Sequence, residues 1–239
     1  MVNKTNEMLI HKRFVRHTLK DSWKLIKGSK WAFFICLLFL GIIGYVGGAS
    51  VDNYADHLSK IQNLHLRYLY WPFISSIIST PFLVGAFMLG IRRARQQTVL
   101  YYDGLRYFPF LVKAGLMSFV TYIMANLINL IFYYLAYLHT APALLHTIQV
   151  IAVVYMIVMD ILLLFTLPLL VDKKRPFWQC IWLSIITVWP HFWPCLRLMV
   201  CVFLIMIIGT LLLGIGVIWA FPWSFIAIGQ AYEQLFSST

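Results

Sequence analysis

From Trp31 to Ser50 the chain carries no Asp, Glu, Lys or Arg, and the same holds from Tyr68 to Ile91, from Ala114 to Met159 and from Leu198 to Tyr232. Such runs suit a bilayer. A helix needs roughly 20 apolar residues to cross the ~30 Å hydrocarbon core. In lipid its backbone amides find their partners within the helix itself. A wetted surface is hard to build from this chain. Only 11% of its residues are charged and 62% are hydrophobic, against about 25% and 45–50% in a soluble domain. The expectation is an all-α integral membrane protein.

The net charge of +11 would point to nucleic acid in a soluble protein. Here no nucleic-acid partner is expected, because Lys and Arg collect in the cytoplasmic loops of membrane proteins. All but two of the 19 Lys and Arg, the exceptions being Lys60 and Arg67, fall in three segments. The first is a leader, residues 1–30, distinct from a single transmembrane bundle over 31–239. In the leader, Leu9, Ile10, Phe14, Val15, Leu19, Trp23 and Ile26 recur at helical spacing, which predicts an amphipathic helix with a membrane-facing stripe. Thirty residues before the first apolar run is too long a lead for a cleavable signal peptide. Lys12, Arg13 and Arg16 of the leader are candidate contacts for anionic headgroups or an acidic partner. So are Arg92, Arg93 and Arg95 in the second segment and Lys173, Lys174 and Arg175 in the third. All three segments then lie on the cytoplasmic side, with the N-terminus among them.

Six transmembrane helices follow: Trp31 to Ser50, Tyr68 to Ile91, Phe110 to Leu138, Thr147 to Val171, Leu198 to Leu213 and Ile215 to Phe236. They form three helical hairpins with amphipathic interfacial helices between them, and both termini are cytoplasmic. Five spans is the alternative, with one long tilted helix from Leu198 to Phe221. Val51 to Arg67 reads as a polar outer loop, and Gly44 and Gly48 as a close-packing pair. Trp178, Trp182, Trp189 and Trp193 share one helical face. With Pro190 and Pro194 expected to break any straight helix, this stretch predicts an interfacial helix whose tryptophans anchor it in the headgroup layer.

Chemistry-bearing residues are few. Tyr122, Asn126 and Asn129 lie on one face of the third span, and Asp160 is the one acid well inside a predicted span. Counted outward from Pro142, Asn126 and Asp160 fall at similar depth in an antiparallel hairpin. An ionisable group there reads either as a proton or cation site or as a hydrogen-bonded brace between the two helices. Cys36, Cys180, Cys195 and Cys201 form no C-x-x-C pair, so neither a disulfide framework nor a metal site is expected. No metalloprotease, phosphate-loop or dinucleotide motif occurs. The chain is therefore expected to be neither an enzyme nor a cofactor binder.

Several loose motifs mark the chain. They are Pro81-x-x-x-Gly85 leading to Arg92-Arg93-Ala94-Arg95, then Asp103-Gly104-Leu105-Arg106-Tyr107-Phe108, the Leu167-Pro168-Leu169-x-x-Asp172 exit, a helix containing Ser184, and Gly214-x-Gly216 with Pro222 before Ala231-Tyr232-x-x-Leu235. In these the chain resembles a group of uncharacterised bacterial multi-pass inner-membrane proteins. The group is similar to domains of unknown function and to membrane domains found beside glycerophosphodiester phosphodiesterases. The resemblance implies a six-helix fold in the cell inner membrane and no established activity. Resembled sequences continue the arginine motif as Arg-Gly-Glu, whereas this chain continues Arg95-Gln96-Gln97. The leading functional expectation is a membrane scaffold, assembly or lipid-contacting protein, partnered by the bilayer and by other membrane proteins or further copies of itself. The alternative is a small-solute or ion permease component using Asp160, Asn126 and Asn129.

Overall fold

The computed structural model describes the backbone of residues 4–42, 45, 64–100, 102–137, 142–211 and 216–237, with side chains for these except 4–14, 64–77, 130 and 133–145. Among the described residues the chain is helical, without strands. The helices are α1 (Lys4–Leu25), α2 (Lys30–Ile42), α3 (Leu64–Ala94), α4 (Leu111–Tyr137), α5 (Pro142–Leu162), α6 (Thr166–Asp172), α7 (Phe177–Val188), α8 (Phe192–Leu211) and α9 (Val217–Phe236). A 3-10 segment, Asp103–Phe110, leads into α4, and a 3-10 turn, Trp189–His191, joins α7 to α8. Of the expected outer loop, the part from Val51 to Asn63 lies outside the described residues, as do the Gly44/Gly48 pair and Gly214.

Three helical stretches are long and apolar enough to cross a membrane: Asp103–Asn129, His146–Asp172 and Phe177–Leu211. The pair Val15–Leu25 and Lys30–Ile42 would add a fourth if taken as one broken span, but it is bent by 101°. The bend falls at Gly28, whose φ of 86° is the left-handed conformation that glycine adopts at no steric cost.

Three expectations change. The leader's apolar stripe does not lie free for lipid along its whole length. Ile26 is buried in the protein, and Val15 and Leu19 pack on the core. Pro190 and Pro194 do not end the helical path either, which runs 35 residues from Phe177 to Leu211. Pro190 occupies the 3-10 turn and Pro194 the first turn of α8, and a first turn has no use for the missing N–H. The predicted fourth span, in turn, is a helix with a break. A turn at Leu163 to Phe165 divides α5 from α6, and Ser184 Oγ of α7 donates to the carbonyl of Leu162 at 2.6 Å, giving it a partner at the break.

Among the described side chains the core falls into two clusters. Its larger cluster gathers Phe87, Met88 and Ile91 of α3, the Ile161–Val171 region, Cys180 and Val188 of α7, and Ala231, Tyr232 and Phe236 of α9. Large apolar side chains stand exposed elsewhere, on α5 (Val150, Ile151, Val153, Val154, Ile157) and on α8 (Val200, Phe203, Leu204, Ile208, Leu211). Helices α3 and α9 cross at glycine. A Cβ on Gly90 would strike the Phe225 carbonyl, and one on Gly229 would strike the Gly90 backbone. This close approach sets the register that brings the charged ends of α3 and α9 together.

Candidate functional site

Helix α3 ends in a Schellman motif. Gln96 N–H donates to the Arg93 carbonyl and Gln97 N–H to the Arg92 carbonyl, both at 2.9 Å, with Gln96 left-handed at φ 59°. The motif turns the backbone sharply at Arg95 and presents its guanidinium to two other helices. Nη1 and Nη2 of Arg95 bond Oδ1 and Oδ2 of Asp172 at 2.9 and 2.8 Å, a two-pronged pair. Nε and Nη2 reach Oε1 of Glu233 at 2.9 and 2.8 Å. Tyr232 donates its hydroxyl to Asp172 Oδ2 at 3.0 Å. One arginine thus ties the ends of α3, α6 and α9.

Electrostatics explains the arrangement. A carboxylate at a helix C-terminus meets unsatisfied carbonyls and is disfavoured there, whereas a cation is favoured. Asp172 closes α6, so Arg95 offsets an unfavourable placement. The hydrogen bond to Asp172, working against partial desolvation and helped by Glu233, moves the Arg95 pKa further up, keeping it charged.

The two neighbouring arginines are also used internally. Arg92 Nη1 lies 3.3 Å from Asp103 Oδ2, and that oxygen accepts the Leu100 N–H at 2.9 Å. Asp103 is buried where the 3-10 segment folds back on α3, close enough that a Cβ on Gly85 would strike the Gly104 carbonyl. Arg93 reaches the other way. Its Nε and Nη2 donate to the Leu25 carbonyl at 3.1 and 2.8 Å, and Nη2 to the Lys27 carbonyl at 2.9 Å. These carbonyls belong to the C-terminal end of α1 and its elbow, which Arg93 therefore caps.

The remaining predicted residues scatter. Lys174 is exposed and left-handed at φ 50°, just past α6. Lys173 is half-buried, and the Arg175 carbonyl accepts Cys180 Sγ–H at 3.6 Å. Arg16 is exposed on α1, while the Lys12 and Arg13 side chains lie outside those described. Trp178, Trp182, Trp189 and Trp193 are 65% to 70% exposed along the α7–α8 path.

The intramembrane cluster assembles only in part. Asn126 Nδ2 donates to the Tyr122 carbonyl at 3.0 Å, and Asn129 Nδ2 to Asn126 Oδ1 at 3.2 Å. Across to α5, Asn129 meets Met156 Sδ at 3.9 Å, and Tyr155 donates to the Met124 carbonyl at 2.9 Å. Asp160 lies one turn beyond Met156 and is exposed. Among the described residues no hydrogen bond joins it to either asparagine.

In the sequence Asp103, Asp172, Ser184 and Tyr232 stand only as members of loose motifs, and nothing there marks Glu233. The usable signal was the recurrence of lone acids beside helix ends, each needing a cation. No family model, curated protein or solved structure matches the chain.

Proposed function

We propose that the protein is a six-span integral protein of the bacterial inner membrane, with both termini cytoplasmic, acting as a membrane scaffold or assembly factor in contact with lipid. One observation supports this most. The best-built polar site, Arg95 with Asp172, Tyr232 and Glu233, is spent on joining helices at one end. The broad apolar faces of α5 and α8 point outward, toward lipid or neighbouring helices. The permease reading needs Asp160 to act with Asn126 and Asn129; the contact of Asn129 with Met156 weighs against it.

Photo-crosslinkers placed at Lys12, Arg13, Trp178 and Trp182 in cells test the reading. It expects one membrane protein, or lipid, to be recovered reproducibly from neighbouring positions. Recovery of neither from any of the four would sink it.

A further inference from the structure

The Val15–Leu25 part of helix α1 stands at 101° to α2. Three sets of contacts fix it. Arg93 caps its last carbonyls. Ser22 Oγ donates to Gln230 Oε1 at 2.9 Å, and Trp223 Nε1 donates to the Leu19 carbonyl at 2.9 Å. The Trp23 ring stands edge-on against Trp223 at 4.9 Å. With α2 taken as embedded in the membrane, as in the six-span reading, α1 turned through about a right angle from it lies close to the membrane plane.

Val15, Thr18, Leu19, Ser22 and Ile26 form the face turned to the protein. Roughly 120° round the helix, at 100° per residue, lies a second face. It carries Arg16, Lys20, Trp23 and Lys24, continues through Lys27 in the elbow and ends at Trp31 on α2, all exposed. Trp23 is 52% and Trp31 76% exposed. The acid beside this face, Asp21, pairs with Lys24 at 3.3 Å, and His17 adjoins it. Cations here outnumber the acid. Indoles exposed among lysines match the headgroup layer, where the ring meets the chain region and the ammonium meets phosphate. The charge selects anionic over zwitterionic lipid.

We propose that this face of α1 binds the anionic phospholipid headgroups of the bilayer that holds the protein. Lys20, Lys24 and Lys27 engage the phosphates, and Trp23 and Trp31 sit just beneath them. The proposal rests on the membrane reading above and names the lipid class and the residues for it.

The test uses full-length protein in nanodiscs of phosphatidylcholine alone, or of phosphatidylcholine with an equal part of phosphatidylglycerol. Lysine acylation by a water-soluble reagent is read by mass spectrometry. Lys20, Lys24 and Lys27 should react several-fold more slowly in the anionic discs. In native mass spectrometry, the combined Lys20→Gln, Lys24→Gln, Lys27→Gln variant should retain several-fold less phosphatidylglycerol than wild type. The combined Arg106→Gln, Lys113→Gln, Arg197→Gln variant, which removes three exposed cations away from this face, should retain it as wild type does. Equal acylation in the two discs, or equal lipid loss in the two variants, overturns the proposal. Lysines that stay reactive in anionic discs but are shielded by an acidic soluble protein assign the face to a cytoplasmic partner, and also overturn it. Carbonate extraction of the same protein from its native membrane separates the two readings. Release by carbonate defeats the membrane reading, whereas retained insertion with unprotected lysines defeats only the headgroup assignment.

Discussion

Arg95 and Asp172 meet through two parallel hydrogen bonds of 2.9 and 2.8 Å, although 77 positions separate them in the chain. Each residue stands at the end of its helix, so their pairing fixes the relative position of α3 and α6. Glu233, 138 positions from Arg95, adds α9 to the same joint.

Arg95→Ala should destabilise the protein by roughly 1–3 kcal/mol, below the value for a fully buried pair because the side chain is 32% exposed. Arg95→Lys should recover only a minor part, since an ammonium cannot present the planar fork that Asp172 receives. Thermal unfolding in detergent measures both. A lysine variant as stable as wild type would show that the two-pronged geometry contributes little.

Gln96 occupies a left-handed conformation at φ 59°. Glycine there removes a backbone cost of about 1–2 kcal/mol for an L-residue, against up to ~1 kcal/mol of added chain entropy. Gln96→Gly is expected to be neutral to slightly stabilising, and Gln96→Val destabilising. The same unfolding assay ranks the three proteins, and a valine variant above the glycine one contradicts the assignment.

Gly90→Ala and Gly229→Ala should each force α3 and α9 apart, at a cost of about 1–3 kcal/mol, because each added methyl meets the other helix's backbone. Gly41→Ala is the internal control, since a Cβ there meets nothing within 4 Å. Equal melting of all three variants would argue against the close crossing.

Arg93→Gln should loosen α1 at its elbow and leave α3 helical, because three of its four bonds run to the Leu25 and Lys27 carbonyls and the fourth, to the Gln97 carbonyl, lies beyond the last turn of α3. Trypsin cleavage after Lys20, Lys24 and Lys27 should accelerate several-fold relative to wild type, with melting of the remaining bundle nearly unchanged. Unaltered cleavage would mean that the contacts of Ser22 and Trp223 hold α1 without the cap.

Asp160→Asn should leave the protein as stable as wild type or slightly more so, since an ionisable group on an outward face of a membrane-crossing helix is costly to keep there. Asn129→Leu should cost more, since it strands the amide oxygen of Asn126. The reverse order, seen in the same detergent melts, would place Asp160 in a bonded cluster after all.

Much of the helix layout was legible in the sequence. A run expected over Phe110 to Leu138 is a helix over Leu111–Tyr137, and one expected from Ile215 to Phe236 runs Val217–Phe236. Uninterrupted apolar length gives such segments directly. Partners were not legible. Arg92, Arg93 and Arg95 look alike in a charge count, yet one meets a buried aspartate, one a set of helix-end carbonyls and one a pair of carboxylates on other helices. Periodicity likewise gave α1 an apolar stripe, but a period carries no sign of whether protein or lipid covers it. Pro190 and Pro194 misled for a different reason: their effect depends on whether a helix is beginning at that point, which composition does not reveal.

The joint at Arg95 also has an order in time. Ribosomal synthesis makes Arg95 first, Asp172 later, and Tyr232 with Glu233 last. Until α9 emerges, the Arg95–Asp172 pair lacks its phenol and its second carboxylate, and Gly90 has no helix to cross. A nascent chain halted before α9 would present that incomplete joint, with Phe225, Ile226 and Phe236 missing from the core, as a recognisable mark of unfinished assembly.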